Sequence, residues 1–434
     1  MKAADGATSP TAGRRRRQVA AAVACISVAV GPLSGCAGSG LSARSPSGLR
    51  VGVMLPLTGV DAEPAREELN GIELAADAVN QRGGIGGRAI DLVVRDVNSI
   101  AAASRVAAQF RQAGVPLVMG TYASWLSLPA AHAVATDGMV YWETGAVADQ
   151  LTGAGQPLVF RVGASGSDLG QNSATFAALQ LAPRLHLSLP RLRLAVVEED
   201  DPYGDSVATG VVGEATRRGM PVVARIRYNA AHPAWDTVFA QLRAAAPDVV
   251  MLSSYIQDGV AFRRQMLARG FHTGALIGTT MAECGPTFGS ELGPDAIGVF
   301  ASDRPTRGFN PAALNGSGRA AYAVLADDYT RRFGLQPAEE AISGFSSAWA
   351  LFVDVLPAAR QLDSLGIAAA ARGQDLAAGT LPNGAGLKFA TGTEQGQNLL
   401  AASVIWQWQG VRHSVTVWPQ VYAFGHIELV PLPR

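Results

Sequence analysis

From Leu49 onward the chain repeats one pattern, a short apolar run followed by a longer amphipathic one. The runs LRVGVML (49–55), AIDLVVRD (89–96), VPLVMG (115–120) and MVYWE (139–143) have the length and content of buried strands. A second series follows in LRLAVVEED (192–200), PVVARIRYN (221–229), DVVMLSS (248–254) and ALIGTT (275–280). Apolar runs separated by helix-length segments suit parallel strands with both faces covered, so the pattern predicts an α/β fold. Two such series in 434 residues predict two lobes, because a single core rarely grows past about 250–300 residues. With 48% of residues hydrophobic and 16% charged, the chain can fill both cores.

The stretch NQRGGIGGR (80–88) tests whether this fold carries a phosphate loop. In the preceding NGIELAADAVN, Ile72, Ala75, Ala76 and Val79 share one helical face, and Asn70, Glu73, Asp77 and Asn80 share the other. The glycines therefore follow a helix and precede the strand at Ala89. A phosphate loop needs the reverse order, strand then glycines then helix N-terminus, where N–H groups point at the anion. Gly83 and Gly84 are expected to stop the helix, and GIGGR to turn into the next strand.

The N-terminus has the form of an export signal. Arg14–Arg17 form a basic region, Val19–Leu33 an apolar one too short for a confident membrane span, and LSGC (33–36) matches the lipobox of bacterial lipoproteins. By that match, residues 1–35 are a lipoprotein signal peptide and Cys36 receives the lipid. Cleavage after an ordinary small-residue site is the alternative, and RRQVA from Arg16 bears a weak likeness to a twin-arginine signal. Residues 36–48 read as a flexible tether. The signal removes five basic residues and one acid, so 30 basic residues face 34 acidic ones in the mature chain. A mildly acidic protein is a poor candidate for a nucleic-acid partner. Cys284 is left without a second cysteine to pair with inside the mature domain.

Catalytic patterns are sparse. The six histidines are scattered and no cysteine cluster exists, so neither a metal nor a cofactor is expected. GFSSA (344–348) resembles a nucleophile elbow, but alanine stands where the last glycine belongs, and it reads better as the start of a helix running through Trp349 and Leu351. The run EEDD (198–201) ends a strand and begins a loop, where solvated acids are common.

Five stretches in order resemble the type I periplasmic binding proteins, in particular the Leu/Ile/Val- and amide-binding branch that feeds ABC importers. They are NGIELAADAVNQRGGIGGRAIDLVVRD, FRVGASGSDLGQ (160–171), EDDPYGDSVATG (199–210), WDTVFAQLRAAAPDVVML (235–252) and the closing GLKFATG with VTVWP. The resemblance implies two Rossmann-like lobes joined by three hinge crossovers, with a ligand between them. Lobe 1 would hold 49–163 and 303–402, and lobe 2 would hold 164–302 and 403–434. It also implies contacts. Ser124 and its helix N-terminus would hold a ligand carboxylate, with Tyr122 and Trp125 as walls. Gly145 and Ala146 would offer backbone groups, and Tyr203 and Tyr255 would close over the ligand. Thr280 stands where amino-acid binders carry an acid for the ammonium group, and Val147 replaces a hydroxyl. Either Glu143 or Glu283 could return the missing charge; otherwise the ligand is not an α-amino acid.

The function expected from this resemblance is capture of a small polar metabolite by a monomeric, lipid-anchored protein outside the cytoplasm. An ABC permease would be its partner. A sensor of the same fold and, more remotely, a secreted hydrolase using Ser346 are the alternatives.

Overall fold

The computed structural model describes residues 48–283, 285–305 and 308–430. The signal sequence, Cys36 and the tether up to residue 47 lie outside the described residues, as does Cys284. Strands form where the apolar runs stand: β1 (Leu49–Leu55), β2 (Ile90–Asp96), β3 (Leu117–Gly120), β4 (Val140–Glu143) and β5 (Val159–Arg161). They make a five-stranded sheet in the order β2-β1-β3-β4-β5, parallel throughout. The remaining strands are β6 (Leu194–Glu199), β7 (Val222–Tyr228), β8 (Val249–Ser253), β9 (Ala275–Thr279), β10 (Phe300–Asp303), β11 (Val404–Gly410) and β12 (His413–Trp418). They form a second sheet in the order β12-β11-β10-β9-β8-β6-β7.

This second sheet differs from the all-parallel expectation. It is parallel from β7 to β10, but β11 runs antiparallel to β10, and β12 antiparallel to β11. The β11–β12 hairpin closes through Val411 and Arg412, and Arg412 is left-handed at φ 58°.

The first helix, α1 (Ala62–Gln81), buries Ile72, Ala75, Ala76 and Val79 as its spacing predicts. Its end is fixed twice. Gly84 donates to Val79 O at 3.0 Å, and Ile85 and Arg88 exchange backbone hydrogen bonds across Gly86 and Gly87, both at positive φ. Such two-residue turns need positive φ at both central positions, which glycine adopts freely. Asn80 adds a register clamp: its side-chain amide donates to Ile90 O (3.0 Å) and accepts from Ile90 N (2.7 Å).

Helices α2 (Ile100–Gln112) and α3 (Ser124–Thr136) also pack around the first sheet. The chain passes between the sheets at three places, after β5, after β10 and before β11. These passages are tied together. Asn398 donates to Val162 O (2.9 Å), Gln397 to Gly163 O (2.9 Å), and Asn172 to both Ser302 Oγ (3.0 Å) and Val404 O (3.1 Å).

Helix Glu339–Trp349 returns to lie on α1 at backbone distance. A Cβ on Gly71 would sit 2.1 Å from Ala341 O, and one on Gly344 would sit 2.1 Å from Glu68 O. Neither backbone can yield without separating the helices. Gly71→Ala and Gly344→Ala should each cost about 1–3 kcal/mol of unfolding free energy by overpacking. Gly213→Ala, where a Cβ meets nothing within 4 Å, is the matched control. Chemical denaturation of the three variants distinguishes them, and equal midpoints would refute the close approach.

Candidate functional site

The carboxyl ends of the strands in both sheets open toward one another, the place where parallel α/β folds offer a crevice. A cavity of about 310 Å³ lies there. Asp61 reaches it from the loop after β1, and Tyr122 and Trp125 from the start of α3. From the second sheet come Glu199 at the end of β6, and Tyr255 and Asp258 after β8. A smaller cavity of about 40 Å³ shares Tyr122 and Ile256 with the first and is lined by Glu63, Glu67, Glu339 and Glu340. The two halves also touch directly, where Asp149 N donates to Ser206 Oγ at 3.0 Å.

The aromatic side of the larger cavity is braced from behind. The Tyr255 hydroxyl donates to Asp201 Oδ2 at 3.1 Å, and its ring meets Tyr203 edge-on with centroids 5.4 Å apart. Tyr203 is fully buried, and its hydroxyl donates to the carbonyl of Thr279. It therefore supports Tyr255 and is absent from the cavity lining. Asp201 itself caps helix Pro202–Arg218 by accepting from Gly204 N at 2.7 Å. Asp258 accepts from the hydroxyl of Tyr228.

The acids facing the cavity all hold their protons more tightly than in water. Burial, with Asp258, Asp201 and Asp61 nearby, pushes Glu199 up to about 8. Burial raises Asp258 and Asp201 to about 6 each, and it raises Asp61 as well. Behind the smaller cavity, the guanidinium of Arg304 is buried among Glu68, Asp303, Glu339 and Glu340. It lies 3.3 Å from Glu340 and 3.8 Å from Asp303, and donates to Gly145 O at 3.2 Å. Burial alone would lower its pKa, but these carboxylates more than compensate and hold it above the usual value.

Of the residues expected from the sequence, Tyr122, Trp125 and Tyr255 line the larger cavity. Ser124 opens α3, but its hydroxyl already accepts from Ala148 N at 3.1 Å. Gly145 and Ala146 do not offer free N–H groups. The Glu143 side chain folds back over its own loop, and Oε1 accepts from Thr144, Gly145 and Ala146 at 3.0, 2.8 and 2.7 Å, while Oε2 accepts from Tyr141. Glu143 is thereby spent on the turn. Val147 is buried in the core.

Thr280 and Glu283 sit at the end of β9, fully buried and outside the lining of both cavities. Glu283 accepts from Ser254 at 3.3 Å, and burial keeps its carboxyl well above the ordinary range. Ser346 of GFSSA is buried in the middle of helix Glu339–Trp349, which begins five residues earlier than that motif, and no strand-to-helix turn presents it.

The residues that sequence reading passed over are Asp61, Glu199, Asp201, Asp258 and the Arg304 cluster. EEDD was the available signal. Its first acid, Glu198, is paired with Arg225 and Arg227 at 2.8 Å, whereas its second and fourth point toward the cavity and its aromatic wall.

Because Glu199, Asp201 and Asp258 bind protons more tightly in the native state than unfolded, their contribution to stability is fullest below about pH 4. It is lost as pH rises toward about 8. The empty protein should therefore melt at a lower temperature at pH 8 than at pH 6, and Glu199→Gln should flatten that slope. Differential scanning calorimetry at both pH values checks it; a melting point that rises with pH in this interval, or a slope unchanged in the variant, contradicts the assignment.

The family model for periplasmic binding proteins matches residues 48–408. A curated relative, Leu/Ile/Val-binding protein homolog 8 of Brucella abortus (strain 2308), is 29% identical over 375 residues, covering 86% of this chain and 91% of its own. Among solved structures, a leucine-binding protein from Thermotoga maritima superposes with a TM-score of 0.71 at 18% identity, over 85% of this chain and 98% of that one. A solute-binding protein of an ABC transporter from R. palustris, solved with benzoate, gives 0.68 at 18% identity, over 88% and 99%. With its two facing sheets, three tied passages and interlobe cavity, the chain belongs to the periplasmic binding protein family, extracytoplasmic solute binders of the type I fold.

Proposed function

We propose that the protein captures a small polar metabolite between its two halves and delivers it to an ABC importer in the membrane. The observation that carries this is a cavity lined from both sheets at their strand ends. Its volume lies at the lower end of small-molecule sites, which run from about 300 to 1,000 Å³. In this reading residues 49–163 and 303–402 move against 164–302 and 403–434 about the three passages. A ligand touching Tyr122 and Trp125 on one side and Tyr255 on the other favours the closed form, and a permease reads that form. The relatives named for leucine, isoleucine and valine support an amino acid or related compound, and the benzoate complex of a neighbour shows that the fold accommodates other chemistry.

The protein acts as a binder and leaves its ligand chemically unchanged; the interior position of Ser346 supports this. It works as a monomer, without metal or cofactor, tethered outside the cytoplasm through lipid on Cys36.

Thermal melting of the domain from Ser39 onward against a metabolite library tests the binding role. A true ligand present at about 100 times its Kd stabilises by about 2.7 kcal/mol. Tyr255→Ala should abolish the shift while leaving the empty protein folded. A ligand shift that survives this substitution places the site elsewhere. The anchor is tested separately: Cys36→Ala should move the protein from the membrane fraction to the soluble one, and retention in the membrane refutes the lipid attachment.

A further inference from the structure

The chemistry of the cleft narrows the ligand further, and this step rests on the proposal that the cleft is the binding site. Two adjoining cavities share the walls Tyr122 and Ile256. Asp61, Glu199 and Asp258 face one, and Glu63, Glu67, Glu339 and Glu340 face the other, while no Lys, Arg or His among the described residues lines either. Two of these acids lack what a buried carboxylate needs. Glu199 Oε2 is shut off from solvent with no donor, and the carboxyl of Glu339, a residue only 7% exposed, meets no N–H or hydroxyl donor and has the carboxyl of Asp303 as its neighbour. The nearest cation, Arg304, lies behind the cavity and already faces Glu340, Asp303 and its other acidic neighbours, with only its Nε lacking a hydrogen-bond acceptor.

An anionic group on the ligand would find no side-chain cation among the described residues on either wall. The N–H groups of Thr144, Gly145 and Ala146 are held by Glu143. The positive potential on the cavity wall comes from three helix N-termini, those of α1, α3 and helix Ile256–Ala268, each worth roughly half a charge, and two of them already carry an acid of their own in Asp61 and Asp258. A cation, by contrast, would pair with oxygens that are buried and unsatisfied, which is where charge-assisted hydrogen bonds gain most. The rings of Tyr122, Trp125 and Tyr255 add faces against which an ammonium group can rest.

We infer that the cleft selects an organic amine cation without a free carboxylate. Glu199 and Asp258 are its principal partners in the larger cavity, and Glu339 waits for a second positive group in the smaller. A zwitterionic amino acid is the poorer ligand because its carboxylate must enter the same acidic space.

Titration calorimetry with a matched series tests this: leucine, leucinamide, 3-methylbutylamine, 4-methylpentanoate and 1,4-diaminobutane, each against the wild type, Glu199→Gln, Asp258→Asn and Tyr255→Ala. The amines should bind at least about tenfold more tightly than leucine, and 4-methylpentanoate should not bind. Glu199→Gln and Asp258→Asn should each weaken the amines by about tenfold or more, the loss expected for one charge-assisted contact. Leucine binding more tightly than every amine, with Tyr255→Ala abolishing it, would leave the cleft as the site and overturn the cationic ligand. The cationic ligand is equally overturned if no amine binds up to about 10 mM. Ligands that bind equally well to all four proteins would instead overturn the assignment of the cleft.

Discussion

The structure turns on acids crowded where strands end, Asp61 and Asp258 buried and Glu199 half-buried. Parallel strands deliver their last residues to one edge of the sheet, and here two such edges face each other. Glu199 closes β6, Asp258 follows β8, and Asp61 follows β1. Each would be ordinary on a surface. Burial under aromatic side chains raises the proton affinity of each, neighbouring acids add to it at Glu199 and Asp258, and Glu199 is raised furthest, to about 8. An empty cleft of this kind is electrostatically costly, and a bound cation or added protons relieve the cost. Binding sites commonly carry such tension, because the groups that recognise a ligand cannot also be satisfied internally.

The scaffold keeps that tension in place. Gly71 and Gly344 let α1 and helix Glu339–Trp349 approach to backbone contact, which buries Glu68 and Glu340 beside Arg304. Asn172, Gln397 and Asn398 tie the three passages between the sheets with side-chain amides. Backbone contact through glycine and side-chain amide bonds thus hold different parts of the scaffold.

Much of this was legible in the chain. All eight runs read as strands are strands, with ends displaced by only a residue or two, because a doubly covered parallel strand writes itself as a continuous apolar run. The α1 face and the glycine turn after it were equally readable. The hairpin β11–β12 was not. Its turn at Val411 and Arg412 carries none of the Asn-Gly chemistry that marks tight hairpins, and its strands mix Trp with Gln and Thr. Strand β5 has three residues, too few to show a period. The site was half legible. Resemblance pointed to loops that reach the cavity, and Tyr122, Trp125 and Tyr255 line it. It could not show that Glu143 would consume the N–H groups of its own loop, since that depends on a side-chain rotamer. It also gave no reason to separate Glu198 from Glu199, adjacent acids that a strand sends to opposite faces, one to Arg225 and Arg227 and the other to the cleft.

Whether unpaired acids in the cleft await a positive partner is most directly tested by following the Glu199 carboxyl carbon by NMR across a pH titration. In the empty protein it should titrate near pH 8, and on saturation with a bound amine it should fall toward the ordinary carboxylate range. A Glu199 that titrates in the ordinary range without ligand would contradict this picture of the cleft.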